Sequence, residues 1–220
     1  MARRTKAEAE ETRRGLLDAA ERIFHAKGVA ATSLEEIAAE AGVTRGAVYW
    51  HFANKADLFM ALFDDAPLIH DDLFAPLALD EHPDPLALVE ELAIGALTLL
   101  ASDERRQRIY TILTLCEYRD DFGMVLQRKL ETMDRAHAQF AGAFAQAARR
   151  GILAPSWPPE TAAAAFQWLL QGIIVDWLKF GRRFDLAERG SSAIRAQFHA
   201  YRNSSVTATI AAGTPAPAPA

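Results

Sequence analysis

Residues 38–55 read AAEAGVTRGAVYWHFANK, and this stretch decides the fold of the N-terminal part of the chain. It predicts two short helices that cross at a steep angle. Ala38 is small where two helix backbones come close, Gly42 permits the turn that residues with a Cβ resist, and Val48 is an apolar plug between the helices. Together these positions predict a helix-turn-helix, a motif that places its second helix in the major groove of DNA.

Polar residues with capping chemistry surround this motif. Ser33-Leu34-Glu35-Glu36 predicts a capping box at the start of the first helix, Thr44 is placed to cap the second, and Asn54 is placed to cap the next one. An earlier helix is predicted from apolar residues at three- and four-residue spacing, and Gly28 ends it. The apolar residues of that helix are Leu16, Leu17, Ala20, Ile23 and Phe24.

A family resemblance becomes recognisable at this point. Residues 12–62, centred on Gly-Val-Thr-Arg-Gly-Ala-Val-Tyr-Trp-His-Phe-x-Asn-Lys, resemble the DNA-binding domain of the TetR family of bacterial transcriptional repressors. The opening Met-Ala-Arg-Arg-Thr-Lys and the Thr-Arg-Gly-Ala-Val-Tyr-Trp-His-Phe run resemble the AcrR-like subgroup, which controls multidrug efflux pumps. The resemblance implies an all-α fold, in which a three-helix DNA-binding domain precedes a larger helical domain for ligand binding and dimerisation.

The periodicity along the rest of the chain agrees with an all-α fold, since no strand pattern occurs. We expect a helix-turn-helix domain over residues 1–55, a helical ligand-binding and dimerisation domain over 56–203, and a disordered tail over 204–220. The helices are expected to begin after Asn54, at Asp84-Pro85, after Asp103, near Asp120, near Glu160 and near Leu186. The Ala- and Pro-rich tail is too poor in large apolar residues to form a core.

The chemistry of the side chains assigns roles in DNA binding. Arg45 is the candidate for a bidentate contact with guanine, and Gly46 leaves room for close approach of the backbone. The rings that follow would lie along the groove wall, although Trp50 could instead be a packing residue. Lys55 is expected to hold a phosphate, as are Ser33 and Thr44 if capping does not occupy their hydroxyls. The predicted DNA-binding residues are Arg3, Arg4, Ser33, Thr44, Arg45, Gly46, Tyr49, Trp50, His51 and Lys55.

The charge distribution is unusual for a DNA-binding protein. The chain of 220 residues has a formal net charge of −5. Residues 1–60 contain equal numbers of positive and negative side chains, so the body carries the whole negative excess. A neutral head still binds DNA if its cations share one face. Arg3, Arg4 and Lys6 precede the first acidic residue and could form an arm that reaches a minor groove, or simply a floppy terminus.

Residues 161–180 are apolar on nearly every side. Gln167, Gln171 and Asp176 interrupt the run, so we read it as a buried helix and not as a membrane span. One face can pack on the core while another meets a second copy of the chain, and the last helix adds further apolar positions. The predicted interface of the homodimer comprises Phe166, Ile173, Trp177, Ile194 and Phe198. Packing within one chain is the alternative.

Dimerisation also follows from the size of the head. A single short recognition helix makes few base contacts, because one module buries only about 600–1,000 Å² of protein surface. Two heads related by a two-fold axis double these contacts. The double-stranded DNA operator is therefore expected to be an inverted repeat.

Polar side chains within apolar helices indicate a ligand site. Tyr110 with Thr114 and Gln167 with Gln171 are pairs at i,i+4, and each must be satisfied in the core or face a cavity. The resemblance favours a cavity between the middle helices for a small hydrophobic or aromatic effector. The predicted ligand-binding residues are His70, Phe74, Tyr110, Leu113, Thr114, Met133, Gln167, Leu170, Gln171 and Ile174. Met124, Phe140 and Trp168 would also suit a large, adaptable hydrophobic site.

Enzymatic and cofactor-dependent functions are not indicated. The sequence has no Gly-rich phosphate loop, nucleophile elbow, His-Glu-x-x-His or paired Glu-x-x-His elements, so we expect no enzyme, no cofactor and no metal. Cys116 is the single cysteine, which excludes an intramolecular disulfide and leaves a buried thiol or a redox switch. Residues 1–14 are almost all polar, so no signal peptide is expected and the protein should be cytoplasmic.

The sequence therefore predicts a ligand-responsive repressor that binds an inverted-repeat operator as a homodimer and controls a multidrug efflux operon. Three alternatives remain open. The chain could regulate a metabolic or catabolic operon through a specific metabolite, it could sense a metal through His70, Asp71 and Asp72, or it could be a helical scaffold that binds protein.

Overall fold

The computed structural model describes residues 6–65, 82–118 and 122–203. Over these ranges the chain is helical and contains no strand. The helices are α1 (Lys6–Lys27), α2 (Leu34–Glu40), α3 (Arg45–His51), α4 (Lys55–Asp65), α5 (Pro85–Ser102), α6 (Glu104–Leu115), α7 (Gly123–Arg149), α8 (Pro159–Lys179) and α9 (Ser191–Arg202), and a π-helical turn (Leu186–Gly190) precedes α9. The all-α prediction is confirmed.

The first three helices pack into a small head, and its buried residues are continuous with those of the body. Leu16, Phe24, Ile37 and Val48 are at most 2% exposed, as the spacing of apolar residues predicts. Helix α1 ends where Gly28 adopts a φ of +86° and its N–H donates to the carbonyl oxygen of Phe24 at 2.9 Å. Apolar burial therefore fixes how the helices pack, and glycine sets where the first one stops.

Capping residues start the helices where the sequence predicts them. The Oδ1 of Asn54 accepts a hydrogen bond from the N–H of Asp57 at 2.8 Å, which opens α4. Asp84 caps α5 and Asp103 caps α6 in the same way, each through a side-chain oxygen and the N–H three residues later. These bonds satisfy N–H groups that the first turn of a helix leaves unpaired.

The core of the body is a cluster of aromatic rings from α7, α8 and α9. The ring of Phe166 lies edge-on to Phe140 and Phe198, with centroid separations of 4.8 and 5.2 Å. Tyr201 is also fully buried, and its hydroxyl donates to the carbonyl oxygen of Ala162 at 2.9 Å. Edge-to-face contacts of this kind add to the free energy gained from burial alone.

This aromatic core corrects the predicted dimer interface. Phe166, Ile194 and Phe198 have no exposed surface in a single chain, and Trp177 is 5% exposed. Side chains buried within one chain have no surface left for a partner. Ile173 is half-buried, and a Cβ added to Gly190 would lie 3.3 Å from its Cγ2, so Ile173 packs closely against the π-helical turn.

Helix α5 has the composition of a possible membrane span. Its 18 residues have a mean hydropathy of 1.6. It is the one helix in the described ranges that is long and apolar enough to cross a membrane. One such helix is weak evidence, because a core helix can pass the same test. In α5, Glu90 accepts a hydrogen bond from Nη1 of Arg202 at 2.9 Å, which ties this helix to α9.

Several predicted features fall outside the described ranges. They are Arg3 and Arg4, the continuation of α4 past Asp65 with His70 and Phe74, and the tail over residues 204–220. The predicted domain boundary after residue 55 stays a prediction.

Candidate DNA-binding face and ligand cavity

The turn between α2 and α3 is a Schellman motif. The N–H of Val43 donates to the carbonyl oxygen of Ala38 at 3.0 Å, and the N–H of Gly42 donates to that of Ala39 at 3.1 Å. Gly42 has a φ of +67°, a conformation that disfavours residues with a Cβ. The turn then passes directly into Thr44, whose Oγ1 accepts from the N–H of Ala47 at 3.3 Å and starts α3.

Helix α3 buries one side and exposes the other. Val48 is completely buried, whereas Tyr49 is 45% and Trp50 71% exposed. Arg45 and Gly46, at the N-terminal end of the helix, are exposed as well. We call the exposed residues Thr44, Arg45, Gly46, Tyr49 and Trp50 the recognition face. Because Trp50 is so exposed, the alternative interpretation of this residue as a packing residue is the poorer explanation.

Arg45 is held loosely on the recognition face. Its Nε lies 2.9 Å from Oε1 of Glu35, and its guanidinium carbon lies 5.3 Å from the centre of the Tyr49 ring. The side chains of Arg45 and Glu35 are 66% and 47% exposed. Ion pairs this exposed are weak, so a nucleic-acid acceptor can replace the glutamate.

His51 contributes to α3 differently from its two aromatic neighbours. It is half-buried, and its ring meets the ring of Trp50 edge-on with centroids 4.5 Å apart. This contact orients the exposed indole. His51 is therefore better placed to support Trp50 than to lie along a groove wall.

The hydroxyl of Ser33 is occupied by the capping box. Its Oγ accepts from the N–H of Glu36 at 3.2 Å and donates to Oε2 of Glu36 at 3.1 Å, and the N–H of Ser33 donates to the same carboxylate at 2.8 Å. Hydrogen bonds from Lys27 and from Ser33 lower the pKa of Glu36 to about 2. A phosphate contact by Ser33 requires a free hydroxyl, and the capping box occupies this hydroxyl.

Lys55 has a different role from the predicted phosphate contact. Its ammonium group donates to the carbonyl oxygens of Val29 at 2.8 Å, Ala30 at 3.2 Å and Thr32 at 2.8 Å. An ammonium has three N–H donors, and all three point at the turn between α1 and α2. Lys55 thus holds the start of α4 against this turn, and its ammonium group has no donor left for a phosphate.

A cavity of about 50 Å³ lies in the body between α4, α6, α7 and α8. Five of the predicted ligand-binding residues line it, namely Tyr110, Leu113, Thr114, Met133 and Gln171. Three further lining residues escaped the sequence analysis, namely Phe63, Lys129 and Thr132. The helical spacing of Lys129, Thr132 and Met133 on α7 was a usable signal, since the three share one face.

The other predicted ligand residues within the described ranges lie elsewhere. Gln167 is satisfied between α7 and α8, because its Oε1 lies 2.9 Å from Nδ1 of His137 and its Nε2 donates to the carbonyl oxygen of Met133 at 3.3 Å. Leu170 and Ile174 are 6% and 5% exposed and belong to the core. Phe140 is a core residue too, whereas Met124 and Trp168 are 77% and 73% exposed. None of these six is among the described residues that line the cavity.

A cluster of ion pairs around the buried Glu21 joins the head to the body. Glu21 of α1 is 3% exposed and accepts from Nε of Arg105 at 3.0 Å and from Nε of Arg108 at 2.8 Å, both on α6. Arg105 also reaches Asp65 at the end of α4, at 3.4 Å. Sequence reasoning missed this cluster, although Glu21 falls between Leu17 and Phe24 on the apolar side of α1.

Metal binding finds no support in the described ranges, where no group of three or more His, Cys, Asp or Glu side chains could hold an ion. The candidates His70, Asp71 and Asp72 lie outside those ranges. Cys116 is half-buried, and burial raises the pKa of its thiol. A raised pKa keeps the thiol protonated and makes it a poor nucleophile.

Two family profiles match the two parts of the chain. Residues 16–62 match the profile described as bacterial regulatory proteins, tetR family. Residues 84–202 match the profile described as MAATS-type transcriptional repressor, C-terminal region. The first match covers the recognition face, and the second covers the aromatic core and the cavity residues of α6, α7 and α8.

Curated relatives and solved structures agree with these profiles. The chain is 40% identical over 201 residues to the HTH-type transcriptional repressor BepR of Brucella suis, covering 91% of this chain and 96% of that protein. It is similar to NalD, the secondary repressor of the MexAB-OprM multidrug efflux pump in Pseudomonas aeruginosa, at a TM-score of 0.76 and 35% identity over 88% of this chain and 96% of that one. It is also similar to SmeT in complex with triclosan, at a TM-score of 0.77 and 28% identity over 94% of this chain and 100% of that one.

Proposed function

The chain belongs to the TetR family of bacterial regulatory proteins, and we propose that it represses transcription of a multidrug efflux operon until a small ligand releases it from DNA. It binds an inverted-repeat operator as a homodimer, in the cytoplasm where the chromosome lies. The effector is a small hydrophobic or aromatic molecule. The observation that carries this proposal is the recognition face, which exposes Arg45, Tyr49 and Trp50 on a helix anchored from below by Val48.

The dimensions of α3 suit the major groove. An α-helix with its side chains is about 10–12 Å across, and the major groove of B-DNA is about 12 Å wide. Arg45 and Gly46 stand at the end of the helix that enters first, where a guanidinium can reach guanine O6 and N7. Thr44 keeps its hydroxyl hydrogen available for a phosphate, because in the cap its oxygen acts as an acceptor.

We place the dimer contact on the outward sides of α8 and α9, next to the residues first predicted for it. Trp168 is 73% exposed on α8, and the exposed Gly172 lies one turn further on. On α9 the outward side includes the exposed Ala196 and the half-buried Ala200. A large exposed aromatic residue among small ones suits an interface, because the small residues let helices approach closely.

The cavity and the head are connected through two routes. Phe63 lines the cavity and belongs to α4, which begins at Lys55 on the head. Glu21 links α1 of the head to Arg105 and Arg108 of α6, and Tyr110 and Thr114 of the same helix line the cavity. A ligand that moves α4 or α6 therefore changes the orientation of the head. Ligand and operator then weaken each other's binding, as linkage requires.

The proposal is tested with DNA selected by the protein from a random-sequence pool, followed by fluorescence anisotropy. Recovery of an inverted repeat, bound by two chains and lost on removal of one half-site, is the expected result. A panel of planar hydrophobic antibiotics, phenolics and dyes should contain compounds that release this DNA. Selection of no DNA sequence, or equal affinity for a single half-site, contradicts the proposal.

A further inference from the structure

One residue that lines the cavity carries an ammonium group that the proposed function does not yet use. Lys129 is the one charged side chain among the described residues that line the cavity. It is half-buried on α7. The other lining residues are either apolar, like Phe63, Leu113 and Met133, or neutral and polar, like Thr114 and Gln171.

Neutral acceptors hold the ammonium in place. Nζ of Lys129 donates to the carbonyl oxygen of Leu113 at 3.2 Å and to the hydroxyl of Tyr118 at 3.4 Å, and it lies 4.7 Å from the centre of the Tyr118 ring. The Tyr118 hydroxyl itself donates to the carbonyl oxygen of Leu113 at 2.7 Å. Leu113 is in the last turn of α6, where carbonyl groups carry partial negative charge.

No carboxylate neutralises this charge within the described ranges. Lys129 forms no ion pair there, and burial lowers the pKa of its ammonium. Among the described residues, this ammonium has lost hydration without gaining an opposite charge, which is an unfavourable position for a charge. An anion that enters the cavity removes this imbalance, whereas a cation adds repulsion to it.

We propose that the effector of this cavity carries an anionic group, such as a carboxylate, a sulfonate or an ionised phenol, on an apolar body, and that Lys129 is the counterion of that group. This inference rests on the proposed function, because it names the class of ligand for the same site. The apolar body contacts Phe63, Leu113 and Met133, while Thr114 and Gln171 supply hydrogen bonds.

The size of the cavity adds a mechanical consequence. Its volume of about 50 Å³ is well below the roughly 300–1,000 Å³ of sites that enclose drug-sized ligands. Ligand entry must therefore displace part of the lining. Met133 can change rotamer at low cost, and Phe63 belongs to α4, so widening the cavity moves the helix that leads to the head.

Two fluorescent dyes that differ by one sulfonate test the inference. They are 8-anilinonaphthalene-1-sulfonate and the neutral N-phenyl-1-naphthylamine. Lys129→Met should weaken binding of the sulfonate dye by about tenfold, the change expected for loss of one charge-assisted hydrogen bond, and leave binding of the neutral dye unaltered. Lys179→Met, which removes an exposed lysine of α8, is the matched control and should alter neither.

An equal effect of Lys129→Met on both dyes, or no effect on either, overturns the inference. If Lys129→Met does not fold, a competition experiment with the wild-type protein tests the inference instead. There 1-naphthoate should displace the neutral dye at about tenfold lower concentration than 1-naphthamide, and equal concentrations overturn the inference. Operator binding by the wild-type protein is measured separately. Absence of operator binding contradicts the proposed function, while the comparison of the two dyes still tests the role of Lys129.

Discussion

The recognition face and the ligand cavity are built in opposite ways. Every residue of the recognition face lies within Thr44–Trp50, and the hydrogen bond that starts its helix spans three residues. The cavity takes Phe63 from α4, Tyr110 from α6, Lys129 from α7 and Gln171 from α8. One surface is a continuous stretch of chain, and the other exists only after four distant segments have packed.

This difference separates binding from stability. On the recognition face the side chains protrude into solvent, so they can change without disturbing the core. The cavity residues of α7 and α8 share helices with the aromatic core, so their substitution affects both packing and ligand binding. Substitutions can therefore be chosen that act on one property and spare the other.

The largest expected effect comes from two aromatic residues that lie two positions apart on α8. Phe166→Ala should reduce the free energy of unfolding by about 3–5 kcal/mol, because a fully buried ring leaves a cavity. Trp168→Ala should act mainly on the monomer–dimer equilibrium, since its side chain is 73% exposed. Chemical denaturation and sedimentation velocity separate the two effects. Similar losses of unfolding free energy in both variants would place Trp168 in the core.

A second effect concerns the anchor of the head. Lys55→Met should lower the free energy of unfolding by about 2–3 kcal/mol, because three carbonyl groups, two of them in part-buried hydrogen bonds, lose a charged donor. Operator affinity should fall through loss of structure, with no change in its slope against salt concentration. A slope lower by about one unit would restore Lys55 as a phosphate contact. Lys27→Met, which removes an exposed partner of Glu36, is the control and should cost little.

The third effect isolates the recognition face. Arg45→Ala should weaken operator binding by about 10–100-fold, the range for loss of one bidentate base contact, and should relax the preference at one base pair. Its melting curve should match that of the wild type, because the arginine is mostly exposed. Arg22→Ala removes an arginine that is paired with Glu40 outside α3 and serves as the comparison. Equal losses of operator affinity in both variants would mean that Arg45 acts only as a general positive charge.

The smallest effect distinguishes two glycines of the same motif. Gly42→Ala should cost about 1–2 kcal/mol, since it forces a residue with a Cβ into the left-handed region. Gly46→Ala meets no close neighbour, its added Cβ lying 3.9 Å from Oγ1 of Thr44. It should stabilise α3 by about 0.5–1 kcal/mol while obstructing the approach to DNA. Thermal unfolding gives the sign of each change, and a loss of stability in Gly46→Ala would contradict the second expectation.

The predicted dimer interface shows where sequence patterns mislead. Phe166 belongs to an apolar stripe of α8, Ile194 and Phe198 belong to one of α9, and each stripe is equally compatible with the core and with a subunit contact. The structure assigns them to the core because α7 supplies Phe140 and Phe144 to cover them. Trp168, two positions after the buried Phe166, is the exposed residue instead.

The sequence by itself determined the helix-turn-helix, its caps and the helical class of the body. Gly42, Ser33, Thr44 and Asn54 act on backbone groups within four residues, so their effects follow from local chemistry. Only the tertiary structure decided the role of Lys55, whose acceptors lie 23 to 26 positions away, and the pairing of Glu21 with Arg105 across 84 positions. It also brought Lys129 into the cavity. Such contacts depend on how distant helices pack, and no pattern within a single helix records that.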